Sequence, residues 1–371
     1  MTIAPRAYLR RRGGPDYLVV AVVFVLVLFG LVMLASASSH IGKSNYGDAY
    51  YFVKHQFLSG FLPGLIGFFV ALFIPYRKYE KVSIFFLAVA LVLTALVFTP
   101  LGIRTGGALR WVAFGPVRFQ PSELLKIVFP LYLAAWLSRP HGRERSFTKG
   151  FLPFLVVCGA IAGVLLAQRS TSVVAILLLT AVIVYFVSGA KLSYLAWFGA
   201  AAAILFALII TVTPYRRERI LHFLEPESAP LSGGFHLRQA LIAIGSGGLT
   251  GAGYGQSTTK LRYLPEPIGD SLFAVIAEEL GFAGSISVLA LFFVLVARMF
   301  LMALKTKDRF AHLMLMGFGS LIAIQTLVHI GAVSGLLPMT GVPLPFMSYG
   351  GTALVVFLTM TGIAGNISRY T

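Results

Sequence analysis

Apolar residues in this chain come in blocks of bilayer length, not in the two-residue alternation of a strand or the one-sided stripe of a surface helix. Windows of about twenty apolar residues, the number an α-helix needs to cross a hydrocarbon core, fall at 17–37, 57–74, 82–98, 121–137, 151–168, 171–187, 192–212, 271–300, 310–333 and 345–367. The expected fold is all-α: a polytopic membrane protein of about ten transmembrane helices, with a long extracytoplasmic loop, 213–270, between helices 7 and 8. No soluble-looking block separates the runs, so 1–371 reads as a single membrane domain. The run at 17–37 follows Arg10, Arg11 and Arg12 but exceeds the roughly 7–15 residues of a signal-peptide core, and reads as a retained helix.

Lys and Arg orient these spans. Arg6 and Arg10–Arg12 precede the first, while Arg77, Lys78, Lys81, Arg139, Arg143, Arg145, Lys149, Lys191, Lys305, Lys307 and Arg309 fill the even loops. By the positive-inside tendency both termini and the even loops are cytoplasmic. Composition agrees: 58% of residues are hydrophobic and 12% charged, against roughly 45–50% and about 25% in a soluble domain. The formal charge of +17 fits membrane orientation and contact with anionic membrane lipid. It carries no basic stripe with interleaved aromatics, so nucleic acid is not an expected partner. A single cysteine, Cys158, excludes a disulfide within the chain and makes a Cys-based metal site implausible.

With 13 acidic residues in 371, each carboxylate in or beside an apolar run invites a reason. Glu123 and Lys126 lie three apart after Pro121, on one helix face. They read either as a helix-start pair, with Glu123 answering the helix dipole, or as a buried pair lining a polar cavity. Asp270, at the junction of the long loop and the eighth span, suits an N-cap, or a base at a water-accessible mouth that takes a proton from a substrate hydroxyl. A capping bond would lower its pKa and weaken the base. Glu278 and Glu279 need partners, with Arg or His of other spans as candidates. His329 is one of these, and a histidine bonded to a backbone carbonyl is the competing reading.

Arginines and lysines on the outer face oppose the usual sidedness: Arg104, Arg110 and Arg118 in one loop, Arg216, Arg217, Arg219, Arg238, Lys260 and Arg262 in the other. Arginine's planar fork suits a diphosphate, bound or leaving. The glycine-rich stretch Leu241–Gly255 lacks the strand and the Gly-Lys-Ser/Thr ending of a phosphate loop, so it reads as a re-entrant or tightly packed turn. Pro338, Gly341, Pro343, Pro345, Gly350 and Gly351 mark a second bent stretch.

In order along the chain, these segments resemble the FtsW/RodA/SpoVE family of elongation, division and sporulation proteins. The resemblance rests on Gly107-Ala108-Leu109-Arg110-Trp111, Phe119 to Lys126, Tyr215 to Arg219, Gln239 to Gly248, Leu264 to Gly281, Pro338 to Gly341 and Pro343 to Gly351. Each motif alone is moderately specific and the ordered set highly specific. It implies a peptidoglycan glycosyltransferase of the bacterial cytoplasmic membrane, active on its outer face. The implied substrate is lipid II, the implied partner a class B penicillin-binding transpeptidase. The essential family Asp falls on Asp270, with Arg110, Trp111, Arg118, Glu123, Lys126, Arg216, Lys260, Glu266, Glu279 and Ser348 as substrate-binding or supporting residues. No cofactor is certain; a divalent cation, Mg or Mn, is the one candidate, and its ligands are not legible.

The chain departs from the family at Gln168-Arg169-Ser170-Thr171-Ser172, where a Gln/Glu-Pro-Asp/Asn stretch is usual, and at Ile268-Gly269, where His-Thr is usual. Two other readings stay open. A lipid II flippase or other carrier would also show broken helices and intramembrane charge, and a non-catalytic scaffold for a transpeptidase would not need Asp270.

Overall fold

The computed structural model describes residues 13–105, 108–115, 117–140, 146–225 and 233–370. Arg6, Arg10–Arg12, Gly107, Arg143 and Arg145 of the sequence reading lie outside the described residues, as does the side chain of Arg262.

Helices form where the apolar runs predict them. Helix α1 (Tyr17–Tyr46) opens on Asp16, whose carboxylate accepts from Val19 N–H, and closes on Gly47 in the left-handed region. Then come α2 (Tyr51–Gln56), a π-turn at Phe57–Phe61, α3 (Leu62–Phe73), α4 (Arg77–Ala95), α5 (Pro121–Ser138), α6 (Leu152–Ala167), α7 (Thr171–Val187) and α8 (Leu192–Val212). The C-terminal part holds α12 (Leu272–Lys305), α13 (Arg309–Val333) and α14 (Gly351–Ser368). Among the described residues, seven helices are long and apolar enough to cross a membrane, taking α2 to α3 as one; α7 and α8 add shorter apolar stretches. The protein is a polytopic helical membrane protein. Helices α5, α13 and α14 are largely enclosed, α13 packing on α5, α7 and α12, and α14 along α3.

The chain ends and three loops gather on one face. Asp16 N–H donates to Ser368 Oγ at 2.8 Å and its carboxylate accepts from Arg298 at 2.7 Å. Asp308 caps α13 and pairs with Arg77 at 2.9 Å, and Arg309 donates to the Ser188 carbonyl. The ends therefore lie with the loops after α3, α7 and α12, the even loops of the sequence reading.

The opposite face departs most from expectation. The 99–120 loop folds into an antiparallel sheet of β1 (Gly102–Thr105), β2 (Ala108–Phe114) and β3 (Val117–Phe119), in the order β1-β2-β3. The long loop contains α9 (Pro214–Leu224), α10 (Gly233–Ser246) and α11 (Thr259–Arg262). The last helix starts at Gly351, six residues after the expected 345, because 345–350 is bent backbone.

The glycine-rich stretch has a specific partner. Helix α12 is broken at Gly281, at φ 64° and ψ −161°, a conformation open essentially to glycine alone. A break strands the carbonyls before it and the N–H groups after it. The turn after α10 satisfies both sets: Ala252 and Gly253 N–H donate to the Glu278 and Glu279 carbonyls at 2.9 and 3.0 Å, while Phe282 and Ala283 N–H donate to the Gly248 and Leu249 carbonyls at 2.9 and 3.1 Å. A Cβ on Gly281 would lie 2.4 Å from Gly251 N. The turn thus substitutes for the missing helical hydrogen bonds, as broken helices in membranes require.

Candidate active site

Asp270 stands two residues before α12, where four segments of the loop face converge. The helix cap is Ser271, not Asp270, so the capping reading is corrected: no side-chain bond closes that helix end. The Ser271 hydroxyl donates to the Pro265 carbonyl at 2.9 Å and therefore accepts from His236 Nε2–H of α10 at 2.7 Å. Burial, then the nearby Arg219 charge, pushes the His236 pKa down to about 4, so the imidazole is a neutral donor.

Asp270 is half-buried. Burial, then the Glu266 carboxylate, raises its pKa to about 7, against the opposing pull of Arg110 and Arg219. A carboxyl so placed exchanges its proton near neutrality, where general bases work best.

Arg110 reaches this carboxylate through a local defect in the sheet. Ile103 pairs with Trp111 and Arg104 with Leu109, which leaves Arg110 as the extra residue of a β-bulge. Bulges re-aim side chains beside active sites. The guanidinium Nη2 donates to the Arg169 carbonyl at 2.6 Å. Its Nη1 lies 3.8 Å, and Asp270 Oδ2 3.4 Å, from the place a Cβ would take on Gly341. The glycine therefore leaves open the space beside the carboxylate and the guanidinium.

The wall behind Gly341 is pinned by named bonds. Ser348 Oγ donates to the Gly269 carbonyl at 2.8 Å and accepts from Leu344 N–H at 3.0 Å. Tyr349 N–H donates to the Ile268 carbonyl at 2.9 Å, and Gln56 Oε1 of α2 accepts from Gly350 N–H at 3.0 Å. His329 Nδ1 donates to the Val342 carbonyl at 2.8 Å and Gln325 Nε2 to that of Pro343 at 2.7 Å. Among the described residues, the non-glycine residues with positive φ are Arg169, Glu266 and Phe346, and all three belong to segments that frame Asp270. Such strain persists where surroundings over-determine it, commonly at functional sites.

Of the residues singled out by sequence, the site unites Asp270, Arg110, Glu266 and Ser348, with Trp111 next to Arg110 in β2. Arg118 is exposed on β3. Glu123 and Lys126 form a buried pair at 2.7 Å within α5, with Glu123 in the first turn of that helix and Lys126 facing the Phe357 ring, so the pair is both buried and at the helix start. Arg216 donates to Thr171 Oγ1, Thr213 Oγ1 and the Leu166 carbonyl at 2.9, 3.0 and 3.1 Å, and so ties α9 to the α6–α7 turn.

His329 bonds a backbone carbonyl, the alternative the sequence offered for it, and among the described residues Glu278 and Glu279 find lysine, hydroxyl and backbone partners where Arg or His was the candidate. Glu279 accepts from Lys260 Nζ at 2.5 Å, from Ser36 Oγ of α1 at 2.6 Å and from Gly255 N–H at 3.0 Å. Glu278 accepts from Ser257 Oγ at 2.5 Å, from Thr258 N–H at 2.9 Å and from Thr259 Oγ1. Both carboxylates clamp the 255–260 loop onto α12. Sequence reasoning missed His236 and Gln56, and it read Gly341 only as a mark of bent backbone.

No group of three His, Cys, Asp or Glu side chains among the described residues could hold a metal ion alone. Asp270 and Glu266, near enough for one carboxylate to raise the pKa of the other, are the residues that would hold a divalent cation, with further oxygen ligands supplied by a bound molecule.

The fold and site thus define a polytopic membrane protein with a neutral-range carboxylate and an arginine facing each other at the mouth of a broken helix. The FtsW/RodA/SpoVE family model, described as "Cell cycle protein", matches residues 16–371. The chain is 35% identical to stage V sporulation protein E of Bacillus subtilis over 97% of its length and 98% of that protein's. It is 34% identical to a probable peptidoglycan glycosyltransferase FtsW of Geobacter sp. (strain M18), with 97% and 98% covered. Among solved structures it is similar to a chain from a peptidoglycan synthase complex that coordinates polymerization and crosslinking, at TM-score 0.80, 28% identity and coverage of 96% and 98%. It is also similar to the rod shape determining protein RodA of Thermus thermophilus, at TM-score 0.71, 28% identity and coverage of 96% and 97%. The chain belongs to the FtsW/RodA/SpoVE family.

Proposed function

We propose that this chain is a peptidoglycan glycosyltransferase that polymerises lipid II on the outer face of the bacterial cytoplasmic membrane, with both termini in the cytoplasm. The observation that carries the reading is the Asp270 carboxylate, its pKa raised to about 7, set beside the Arg110 guanidinium across Gly341. Asp270 takes the proton of the acceptor sugar's 4-hydroxyl as that oxygen bonds to the donor's anomeric carbon. The bond from that carbon to phosphate breaks, and polyprenyl diphosphate leaves with its electron pair. Arg110 and Arg219, one on each loop, answer the growing negative charge of the diphosphate. A single displacement inverts the α linkage to β-1,4 and needs no covalent enzyme intermediate. Glu266 keeps Asp270 from ionising too readily, so that the proton gained is held. A bound divalent cation would add neutralising charge at the diphosphate.

A class B penicillin-binding transpeptidase is the fitting partner, because the synthase complex to which this chain is similar coordinates polymerization with crosslinking. A carrier would place its key acid near the middle of a span, whereas Asp270 precedes α12. The test uses purified protein in lipid nanodiscs with fluorescent lipid II. Asp270→Asn should lower polymer formation by about 10²–10⁴-fold while the protein stays folded. Full polymerisation by that variant would remove the base assignment.

A further inference from the structure

We infer that an aromatic ridge beside the site is a binding track for the saccharide chain, taking hexosamine rings of the growing β-1,4 glycan; this rests on the glycosyltransferase reading. The ridge joins the end of α1, the start of α2 and the bent stretch before α14. Tyr46 and Tyr51 stack in parallel with centroids 3.7 Å apart, Phe52 stands edge-on to both, and Tyr349 stands edge-on to Phe52 at 5.3 Å. Although Tyr51 covers one of its faces, Tyr46 is 54% exposed, and neighbouring Tyr50 is 60% exposed.

Three observations point to a sugar. The first is depth. The apolar part of α1 ends at Ala37, and Tyr46 stands nine residues further on, about 13 Å at 1.5 Å each, against an interfacial layer of about 5–8 Å on each side of the core. The polar stretch Ser38 to Asn45 therefore projects beyond it and carries Tyr46 into water. On α2 the apolar window likewise begins only at Phe57. Rings anchoring a helix in a membrane interface would sit lower.

The second is continuity with the site. Tyr349 N–H donates to the Ile268 carbonyl at 2.9 Å, two residues before Asp270. The ridge thus starts on backbone bonded to the segment that carries Asp270.

The third is a polar edge. His55 Nδ1 lies 2.9 Å from the Tyr349 hydroxyl and 3.1 Å from Ser59 Oγ, which itself donates to the His55 carbonyl at 2.6 Å. The His55 ring is exposed, and its Nε2 can bond a hydroxyl as donor or acceptor. Aromatic faces are electron-rich and attract the C–H bonds of a pyranose face, while the ring nitrogen and the tyrosine hydroxyls bond its hydroxyls. Lipid tails need no such edge.

The test measures glycan length and oligosaccharide binding with the full-length protein in nanodiscs. Tyr46→Ala/Tyr51→Ala and the milder Tyr46→Leu, which keeps an apolar side chain but loses the flat face, are compared with the wild type at equal thermal stability. The double variant should consume lipid II yet give chains several-fold shorter, and it should lose the saturation-transfer NMR signal of a chitin tetramer that the wild type shows; Tyr46→Leu should fall between. Unchanged length and unchanged tetramer signal in the folded variants overturn the inference. So does normal length combined with loss of transpeptidase co-purification, which makes the ridge a protein interface. If the wild type itself forms no polymer while binding the tetramer, the glycosyltransferase reading fails and the saccharide site stands.

Discussion

Lys260→Met should destabilise the protein out of proportion to one exposed loop. Lys260 and Glu279 are both almost fully enclosed, and the ammonium donates to Glu279 Oε1 at 2.5 Å, Ser36 Oγ at 2.7 Å and the Gly255 carbonyl at 3.0 Å. Removing it leaves the carboxylate with the Ser36 hydroxyl and the Gly255 N–H. Breaking a buried pair costs about 3–5 kcal/mol, chiefly because a charge is left uncompensated. Replacing both partners by apolar residues removes that charge as well, so Lys260→Met/Glu279→Leu should be far less damaged than the two singles combined. The expected coupling is about 2 kcal/mol or more, within the range for residues in contact. Denaturant or thermal unfolding in detergent gives the cycle, and hydrogen exchange should show 252–263 opening in the lysine variant. Additive single effects, or a loss of stability no larger than about 1 kcal/mol as for surface pairs, would refute the clamp.

Three further outcomes follow from the site. The raised Asp270 pKa means that the folded chain holds a proton the unfolded chain releases near pH 4, so stability falls as pH rises from about 4 to about 7. Asp270→Asn has no such loss, and its melting temperature should exceed the wild type's at pH 8 but not at pH 4; a constant difference would contradict the burial of the acid. Arg169 sits at φ 59° and offers its carbonyl to Arg110. Arg169→Gly should therefore keep kcat, whereas Arg169→Val, which resists that conformation, should lower kcat several-fold by releasing Arg110; equal effects would deny the turn its role. Gly341→Ala should fold, because its methyl meets Asp270 at an ordinary contact distance of 3.4 Å, yet lose at least about tenfold in kcat/KM by filling the space between acid and arginine.

Much of the helical scaffold was legible because lipid imposes a length on every crossing segment, and composition reveals it. Asp270 was legible as a candidate because few acids adjoin apolar runs, and the family motif selected it. What escaped is non-local. That Gly247–Gly253 completes the hydrogen bonding of a break at Gly281 depends on two segments meeting. Each glycine alone signals only a turn. Arg110 was visible as a misplaced charge, but the bulge that aims it arises from strand register in a loop with no strand expected. At the Gln168–Ser172 departure the site receives the Arg169 backbone carbonyl, which no side-chain motif encodes, next to the Thr171 hydroxyl that holds Arg216. Glu278 and Glu279 were seen to need partners, yet the partners come from 19 to 24 residues earlier and from α1.

The rate of lipid II polymerisation against pH, measured under single-turnover conditions for wild type and Asp270→Glu, tests the central claim most directly. A base that must be ionised gives a wild-type rate rising tenfold per pH unit below about 7 and levelling above it, with the inflection displaced in the glutamate variant. A flat profile through pH 5 to 8, or an inflection that ignores the substitution, would mean that Asp270 does not take the proton.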